Sequence, residues 1–295
     1  MKIKETNSDQ LSRRKFIRAT ALSSAGITIL PRYVLGGKGH IAPSDKINIG
    51  IVGAGGRSIG IINELFTLED VQLTAIADPS EHWKNDILYQ SDTGRKPVKK
   101  HIEDHYSQKS PNYKIAEYED FRVMLEKEKS LDAIVCASPD NTHAYISITA
   151  MRAGKHVYCE KPLTHNIWEA RKVRDVARET GVATQMGNQL HSFDGLRKTV
   201  DLLRSGIIGE VNEAHSWVGA TRWIPELNGF PEDISPVPKG FNWDLWLGPT
   251  MHRSYNKLYT PVKWRDFWVF GCGALGDFGC HDMDTVTWAL NLHSP

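Results

Sequence analysis

From residue 46 onward, short apolar runs alternate with stretches of helical periodicity. Residues 46–52 alternate and then become wholly apolar, the pattern of a buried strand. Residues 59–68 carry apolar positions at helical spacing, and 71–77 form a second apolar run closed by Asp78. Strand, helix and strand within about 30 residues make a βαβ unit, which closes as a parallel crossover. The stretch 91–112 breaks this rhythm. Its run Arg95-Lys96-Pro97-Val98-Lys99-Lys100 and many polar residues predict a solvated surface insertion. The alternation then resumes, with a helix near 119–126, a strand over 132–137, a helix over 142–152 stopped by Gly154, and a strand over 156–159. The next helix, over 167–180, has Asn166 as N-cap, Glu169 three residues on and Gly181 just past its end. A strand over 182–186 follows. Strands alternating with helices in this way predict an α/β fold with a doubly wound parallel sheet.

Beyond about residue 188 the character changes. Leu196, Val200 and Leu203 define a helix stopped by Gly206, and 210–218 read as a strand in which Val211, Glu213, His215 and Trp217 share one face. The segment 219–270 is rich in Trp and Pro and, with Trp217, holds six of the nine tryptophans. An apolar helix over 283–292 follows. These features predict a second, α+β domain, so that the chain divides into 1–44, 45–188 and 189–295.

The first 44 residues lie outside the fold. Ser12-Arg13-Arg14-Lys15-Phe16-Ile17-Arg18 precede an apolar stretch over 19–30. That stretch is too short for a spanning helix, which needs roughly 20 residues. Basic start, modest apolar run and polar continuation are the layout of an export signal, and the paired arginines resemble a twin-arginine signal. The expectation is export to the periplasm by the twin-arginine machinery, with membrane attachment if the signal stays uncleaved.

Charge and composition exclude several classes. The 36 Lys and Arg against 35 Asp and Glu leave a net charge of +1, so no field draws the chain to nucleic acid or an anionic membrane. Hydrophobic residues at 40%, with 24 glycines, lie in the ordinary globular range and exclude wholesale disorder. The four cysteines show no C-x-x-C pair and no zinc-ligand spacing, which excludes a disulfide scaffold.

Gly53-Ala54-Gly55-Gly56-Arg57-Ser58 lies between a strand and a helix, the context in which a glycine-rich turn holds a dinucleotide. Gly53 and Gly55 let the backbone turn tightly and approach a pyrophosphate, which the free N–H groups of the helix start then stabilise. Asp78 closes the second strand, about 20 residues past the motif, where a carboxylate accepts from the ribose 2′-OH and repels a 2′-phosphate. NAD is therefore expected over NADP. Ser58 stands where the third glycine is usual, and is small enough for helix–strand packing. This is the Rossmann class.

Cys159-Glu160-Lys161-Pro162 stands at a strand end, and Gly273-Ala274-Leu275-Gly276-Asp277-Phe278-Gly279-Cys280-His281 comes about 115 residues later. Together with the glycine turn and Ser138-Pro139-Asp140-Asn141-Thr142-His143, these segments resemble the glucose–fructose oxidoreductase/inositol dehydrogenase (Gfo/Idh/MocA) family, from about residue 46 to the end. The resemblance implies an N-terminal Rossmann domain, a C-terminal domain with a large, mostly antiparallel open sheet, and hydride transfer on sugars or cyclitols. It implies cofactor contacts by Gly53, Gly55, Gly56, Arg57, Ser58, Asp78, Ser138, Pro139, Asn141, His143, Glu160 and Lys161. It also implies a homo-oligomer. With one strand to begin the second sheet, the sequence reads as truncated within that domain. Exported family members retain their cofactor through the cycle, so the resemblance implies tightly bound NAD.

The residue chemistry points the same way. Oxidising an alcohol needs a base for the hydroxyl proton while a nicotinamide takes the hydride. His281 suits that role because imidazole titrates near neutral pH. Asp277, four residues earlier, shares its helical face and could fix the ring or bind a substrate hydroxyl. Lys161, at a strand's carboxyl end, would stabilise negative charge developing on the reacting oxygen. Asp282 and Asp284 cannot join Asp277 and His281 on one face, so no metal is expected. Trp264 and Arg265 are placed near substrate, with Arg222 and Asn242 as further polar candidates, and Trp217 and Trp288 as packing residues. Two other functions stay open: a glycosidase or lyase that oxidises a sugar carbon transiently to ease elimination, and a non-catalytic cofactor-binding fragment.

Overall fold

The computed structural model describes residues 41–218 and 223–292, and divides the chain into a unit of residues 1–46 and one of residues 47–295. In the first, a short 3-10 turn spans Pro43–Asp45; the arginine pair and the apolar run 19–30 lie outside the described residues. In the second, six strands form one parallel sheet: β1 (Ile47–Val52), β2 (Val71–Ala77), β5 (Ala116–Tyr118), β6 (Ala133–Cys136), β7 (His156–Glu160) and β8 (Thr184–Gly187). Their order, β5-β2-β1-β6-β7-β8, reverses direction at β1, which is the doubly wound arrangement. Five of the six fall where the hydrophobic pattern puts them. The three-residue β5 carries too little sequence to show a period.

Helices α1 (Gly56–Leu65), α2 (Arg95–Ser107), α3 (Phe121–Lys127), α4 (Asp140–Arg152) and α5 (Ile167–Thr180) cover the sheet. One apolar cluster, including Ile51, Ile62, Leu73 and Ile102, fills one side, and another, including Met124, Ile134, Met151 and Val176, fills the other. Local sequence fixes α5 at both ends. Asn166 accepts from the Glu169 N–H at 3.0 Å, Glu169 reaches back to the His165 N–H at 2.8 Å, and Gly181 closes the helix with φ +66°.

The basic stretch is not the expected surface insertion. Residues Trp83–Asn85 (β3) and Ser91–Thr93 (β4) pair antiparallel as a hairpin, and α2 follows. Pro97 sits in the first helical turn, where a missing N–H costs nothing. Val98 and Ile102, four apart, are fully buried, so a helical stripe was present beneath the charge. The cations have partners: Arg95 meets Glu117 and Glu81 at 3.1 and 3.3 Å, and Lys96 meets Glu81 at 2.6 Å.

After β8 come α6 (Asp194–Arg204), α7 (Trp243–Leu247), a 3-10 turn over Lys263–Asp266, α8 (Gly273–Asp282) and α9 (Asp284–Ala289). Helix α6 packs on α9, and Arg204 donates to the Trp288 carbonyl at 2.5 Å. Trp288 is half-buried and stacks on His191. Residues 241–270 gather an aromatic cluster around Phe241, Trp243, Tyr259 and Phe270. The strand expected over 210–218 does not form, and among the described residues after 187 no strand of an open sheet is present. A strand is stable only when a neighbour takes up its N–H and C=O groups, and 211–218 have none among the described residues. Trp217, expected to pack, is accordingly 81% exposed.

Ile102→Ala should lower unfolding free energy by about 2–5 kcal/mol, whereas Lys100→Ala, whose pairing with Asp104 is solvent-exposed, should change it by less than about 0.5 kcal/mol. Denaturant titration of both decides between a packed helix and a solvated loop, for which neither residue would matter.

Candidate functional site

Parallel register brings the carboxyl ends of β1, β2, β6 and β7 to one edge: Val52 lies beside Ala77 and Cys136, and Cys136 beside Cys159. The turns that follow these strands therefore meet at the point where strand order reverses, the usual ligand crevice of such sheets. Gly53 has φ +91°, and a Cβ there would lie 2.8 Å from the Ala137–Ser138 backbone. Only glycine fits. Gly55 caps α1 with open space where its side chain would be, leaving the first N–H groups of that helix accessible. The Tyr89 ring fills the space beside Gly56. Ser58 is fully buried, and its hydroxyl donates to the Gly55 carbonyl at 2.6 Å.

Asp78 ties the end of β2 to this turn. Its oxygens accept from the Ala54 N–H at 2.6 Å and the Ser80 N–H at 2.7 Å. Burial pushes its pKa up, against the pull of those N–H groups and Arg95. A carboxylate offers about four acceptor sites, so accepting capacity remains toward the cavity it lines. That cavity measures about 560 Å³ and runs from Gly53–Arg57 and Asp78 past Ser138 and Pro139 to Trp264 and Arg265. Glycine turn, open helix start and carboxylate fit a dinucleotide.

Lys161 leaves β7 with its N–H bonded to the Gly187 carbonyl at 3.1 Å. Its ammonium donates to Asp277 Oδ1 at 2.5 Å and to the Asp277 carbonyl at 2.8 Å. Arg265 Nε lies 3.6 Å from Asp277 Oδ2, and the guanidinium lies 4.2 Å over the Trp264 ring. Arg265, on the cavity wall, thus meets the Lys161–Asp277 pair, whereas Lys161, Asp277 and His281 are themselves not among the residues lining the cavity. His281 follows Asp277 by one turn of α8. Its Nδ1 is enclosed and has no hydrogen-bond partner among the described residues. Burial pushes the His281 pKa down, the Lys161 charge pushes it further, and Asp277, the Gln189 backbone and Asp282 oppose them. The balance is a pKa below the ordinary histidine value.

Not every expected cofactor contact reaches the cavity. Glu160 is 4% exposed and holds Arg57 at 2.9 Å. Asn141 donates to the Leu247 carbonyl at 3.1 Å and Thr250 Oγ1 at 2.9 Å, bolting α4 to the 241–270 segment. His143 lies buried between two carbonyls, of Ser138 and Pro162. Successive positions of a helical turn face different ways, so Ser138, Pro139 and Thr142 line the cavity while Asn141 and His143 do not. Asn242 caps α7 by accepting from the Leu245 N–H; Arg222 lies outside the described residues. Sequence reasoning missed Trp83 and Tyr89 of the hairpin, and Arg122 and Tyr145, all on the wall. The hairpin's strands are three residues each, too short for a readable alternation. It also missed the convergence of Cys136, His143 and Cys159, whose side-chain N and S atoms lie within 4.8 Å of one another.

The profile of an oxidoreductase family with an NAD-binding Rossmann fold matches residues 47–188, and that of the family's C-terminal alpha/beta domain matches 201–294. An alpha-N-acetylgalactosaminidase from Shewanella oneidensis is 24% identical over 237 residues, covering 74% of this chain and 48% of that protein. An uncharacterized oxidoreductase from Streptococcus pneumoniae is 30% identical over 92 residues, 31% of this chain and 25% of that protein. Among solved structures, the apo scyllo-inositol dehydrogenase of Lactobacillus casei is 24% identical with a TM-score of 0.43, covering 57% of this chain and 44% of that one. The chain spans about half the length, or less, of these curated relatives.

NMR titration should place His281 below about 6.5, the ordinary value. Lys161→Met removes a neighbouring positive charge that disfavours the imidazolium, so the midpoint should rise. A midpoint that stays put would show that the two groups are not electrostatically coupled.

Proposed function

The chain belongs to the Gfo/Idh/MocA oxidoreductase family, with an NAD-binding Rossmann domain, and from that premise we propose that it moves hydride between a bound nicotinamide and a hydroxyl-bearing carbon of a sugar or cyclitol. The observation that carries the proposal is the Lys161 ammonium held on Asp277 beside His281, one arginine away from the glycine-turn cavity. When bound, the nicotinamide supplies the two-electron acceptor or donor. Gly53, the N–H groups at the start of α1 and Asp78 would hold the dinucleotide.

In the oxidising direction the carbon gives up its hydride and the hydroxyl its proton, leaving a carbonyl. His281, neutral near pH 7 because its pKa is lowered, would take the proton. Two of the three Lys161 donors point at Asp277. The third is free to hold the substrate oxygen and to stabilise the negative charge that grows there. Asp277 keeps both the ammonium and Arg265 in place. Trp264 and Arg265 offer an apolar face and a donor fork for neighbouring C–H and hydroxyl groups. Since His281 must be deprotonated to act, oxidation should fall on the acid side of its lowered pKa.

The Asp78 carboxylate favours NAD over NADP. The signal-like N-terminus favours export, and an exported dehydrogenase meets no maintained nicotinamide pool. NAD held tightly and cycled between two substrates follows. Glycoside cleavage by transient oxidation and elimination is a second function, supported by relatives bearing glycosidase names over 72–74% of the chain; it uses the same Lys161 and His281 chemistry. A cleaved glycoside without net redox change distinguishes it from an oxidised sugar.

Mass spectrometry of the purified protein should find NAD that survives dialysis and is reduced by a sugar or cyclitol. Recovery of NADP instead would overturn the Asp78 assignment. Lys161→Ala should lower kcat by about 10²–10³ and His281→Ala by about 10²–10⁴, with cofactor binding retained in both. Near-normal turnover in both variants would remove them from the chemistry.

A further inference from the structure

His143 sits in the first turn of α4 and is 1% exposed, yet it contacts neither the cavity nor solvent. Its Nδ1 lies 2.6 Å from the Pro162 carbonyl oxygen and its Nε2 lies 2.8 Å from the Ser138 carbonyl oxygen. A carbonyl oxygen can only accept. A neutral imidazole carries one N–H, so it would serve one oxygen and turn a lone pair against the other. Turning the ring over would put carbon atoms at both oxygens and leave two buried acceptors unmet, which is costly. Only an imidazolium, protonated on both nitrogens, satisfies both.

The groups around the ring agree with a cation. Asp140, one turn earlier on the same helix and 6% exposed, supplies a carboxylate that also accepts from the Cys272 N–H at 3.0 Å. Cys136 and Cys159, both free of disulfides, reach the ring from β6 and β7, and burial drives the Cys136 pKa upward. For His143 itself, burial favours the neutral form, but the Asp140 carboxylate and the two carbonyls favour the cation, and the pKa lies above the ordinary value. Cys136, His143 and Cys159 resemble the donor set of a soft metal. A ring that donates on both sides has no lone pair for one.

The two carbonyls belong to the two turns that matter most here. Ser138 lines the cavity against the Gly53 turn, and Pro162 directly follows Lys161. We propose that His143 is a positioning residue, a doubly donating imidazolium that clamps the Ser138 turn to the Lys161–Pro162 turn and so fixes the Lys161 ammonium relative to the cavity and His281; the clamp's catalytic meaning rests on the role proposed above for Lys161.

The test needs no turnover. In the full chain with ¹⁵N-labelled histidine, long-range ¹H–¹⁵N spectra at about pH 8, well above the ordinary value of about 6.5, should contain a ring protonated on both nitrogens. That ring should vanish in His143→Gln. Absence of such a ring in the unsubstituted protein overturns the clamp, whether or not any variant folds. The positioning role is read at His281, whose titration midpoint is held down by the Lys161 charge. In folded His143→Gln or His143→Asn that midpoint should shift upward, as in Lys161→Met. A midpoint unchanged in both variants would mean that His143 only fills space. Should sugars prove not to be substrates, the hydride-transfer proposal fails while both NMR results still stand.

Discussion

The contact between the Lys161 ammonium and Asp277 joins the carboxyl edge of the sheet to α8, and the candidate site depends on it. The two side chains are 16% and 19% exposed. At the effective dielectric of such places, opposite charges about 4 Å apart attract by about 4 kcal/mol, and much of that is cancelled by the cost of taking both ions out of water. Its main consequence is therefore geometric. It fixes the ammonium beside an imidazole whose pKa is lowered by burial and then by that same charge, and through Asp277 and Arg265 it ties that pair to the cavity.

The other end of the cavity is built by close backbone approach. Gly53 presses against the Ala137–Ser138 turn, and Asp78 pins the glycine turn by accepting its Ala54 N–H. The hairpin of β3 and β4 closes over the turn, with Tyr89 beside Gly56 and the Gly94 N–H bonded to the Ala54 carbonyl at 2.8 Å. Arg57 and Glu160 neutralise each other between the glycine turn and the residue before Lys161. The lysine turn is thus braced twice, to the dinucleotide turn by that ion pair and to the Ser138 turn by His143.

Beyond β8 the polypeptide is organised differently. Aromatic packing, not a sheet, holds 241–270 together: Trp243 stacks on Trp246 and Tyr259, and Phe270 meets Trp243, Trp246 and Tyr259 edge-on. This cluster carries Trp264 and Arg265 to the cavity wall, while Asn141 anchors the segment to α4 through the Leu247 carbonyl. Three of the six tryptophans, Trp243, Trp246 and Trp264, belong to this packing, as aromatic side chains bury large areas and prefer offset and edge-on contacts, whereas Trp217 and Trp268 are exposed. Trp264 alone combines burial in that cluster with a place on the wall beside a stacked guanidinium.

Sequence alone determined what depends on a few neighbouring residues: α5 from Asn166, Glu169 and Gly181, the dinucleotide turn from Gly53, Gly55 and the spacing to Asp78, and the shared face of Asp277 and His281 from their four-residue interval. Each is settled within a turn or two of backbone, so local pattern suffices. Tertiary structure decided what depends on a distant partner. Helix α2 was hidden because Arg95 and Lys96 find Glu81 and Glu117 only after folding, and 210–218 read as a strand though no neighbour among the described residues pairs with it. The imidazole of His143 between Ser138 and Pro162, and two thiols beside it, follow from the register of β6 against β7. The Lys161–Asp277 contact spans 116 residues of chain. A one-dimensional pattern records which side chains can make such contacts, but which of them meet is set by strand order and register, quantities that no single stretch of sequence contains.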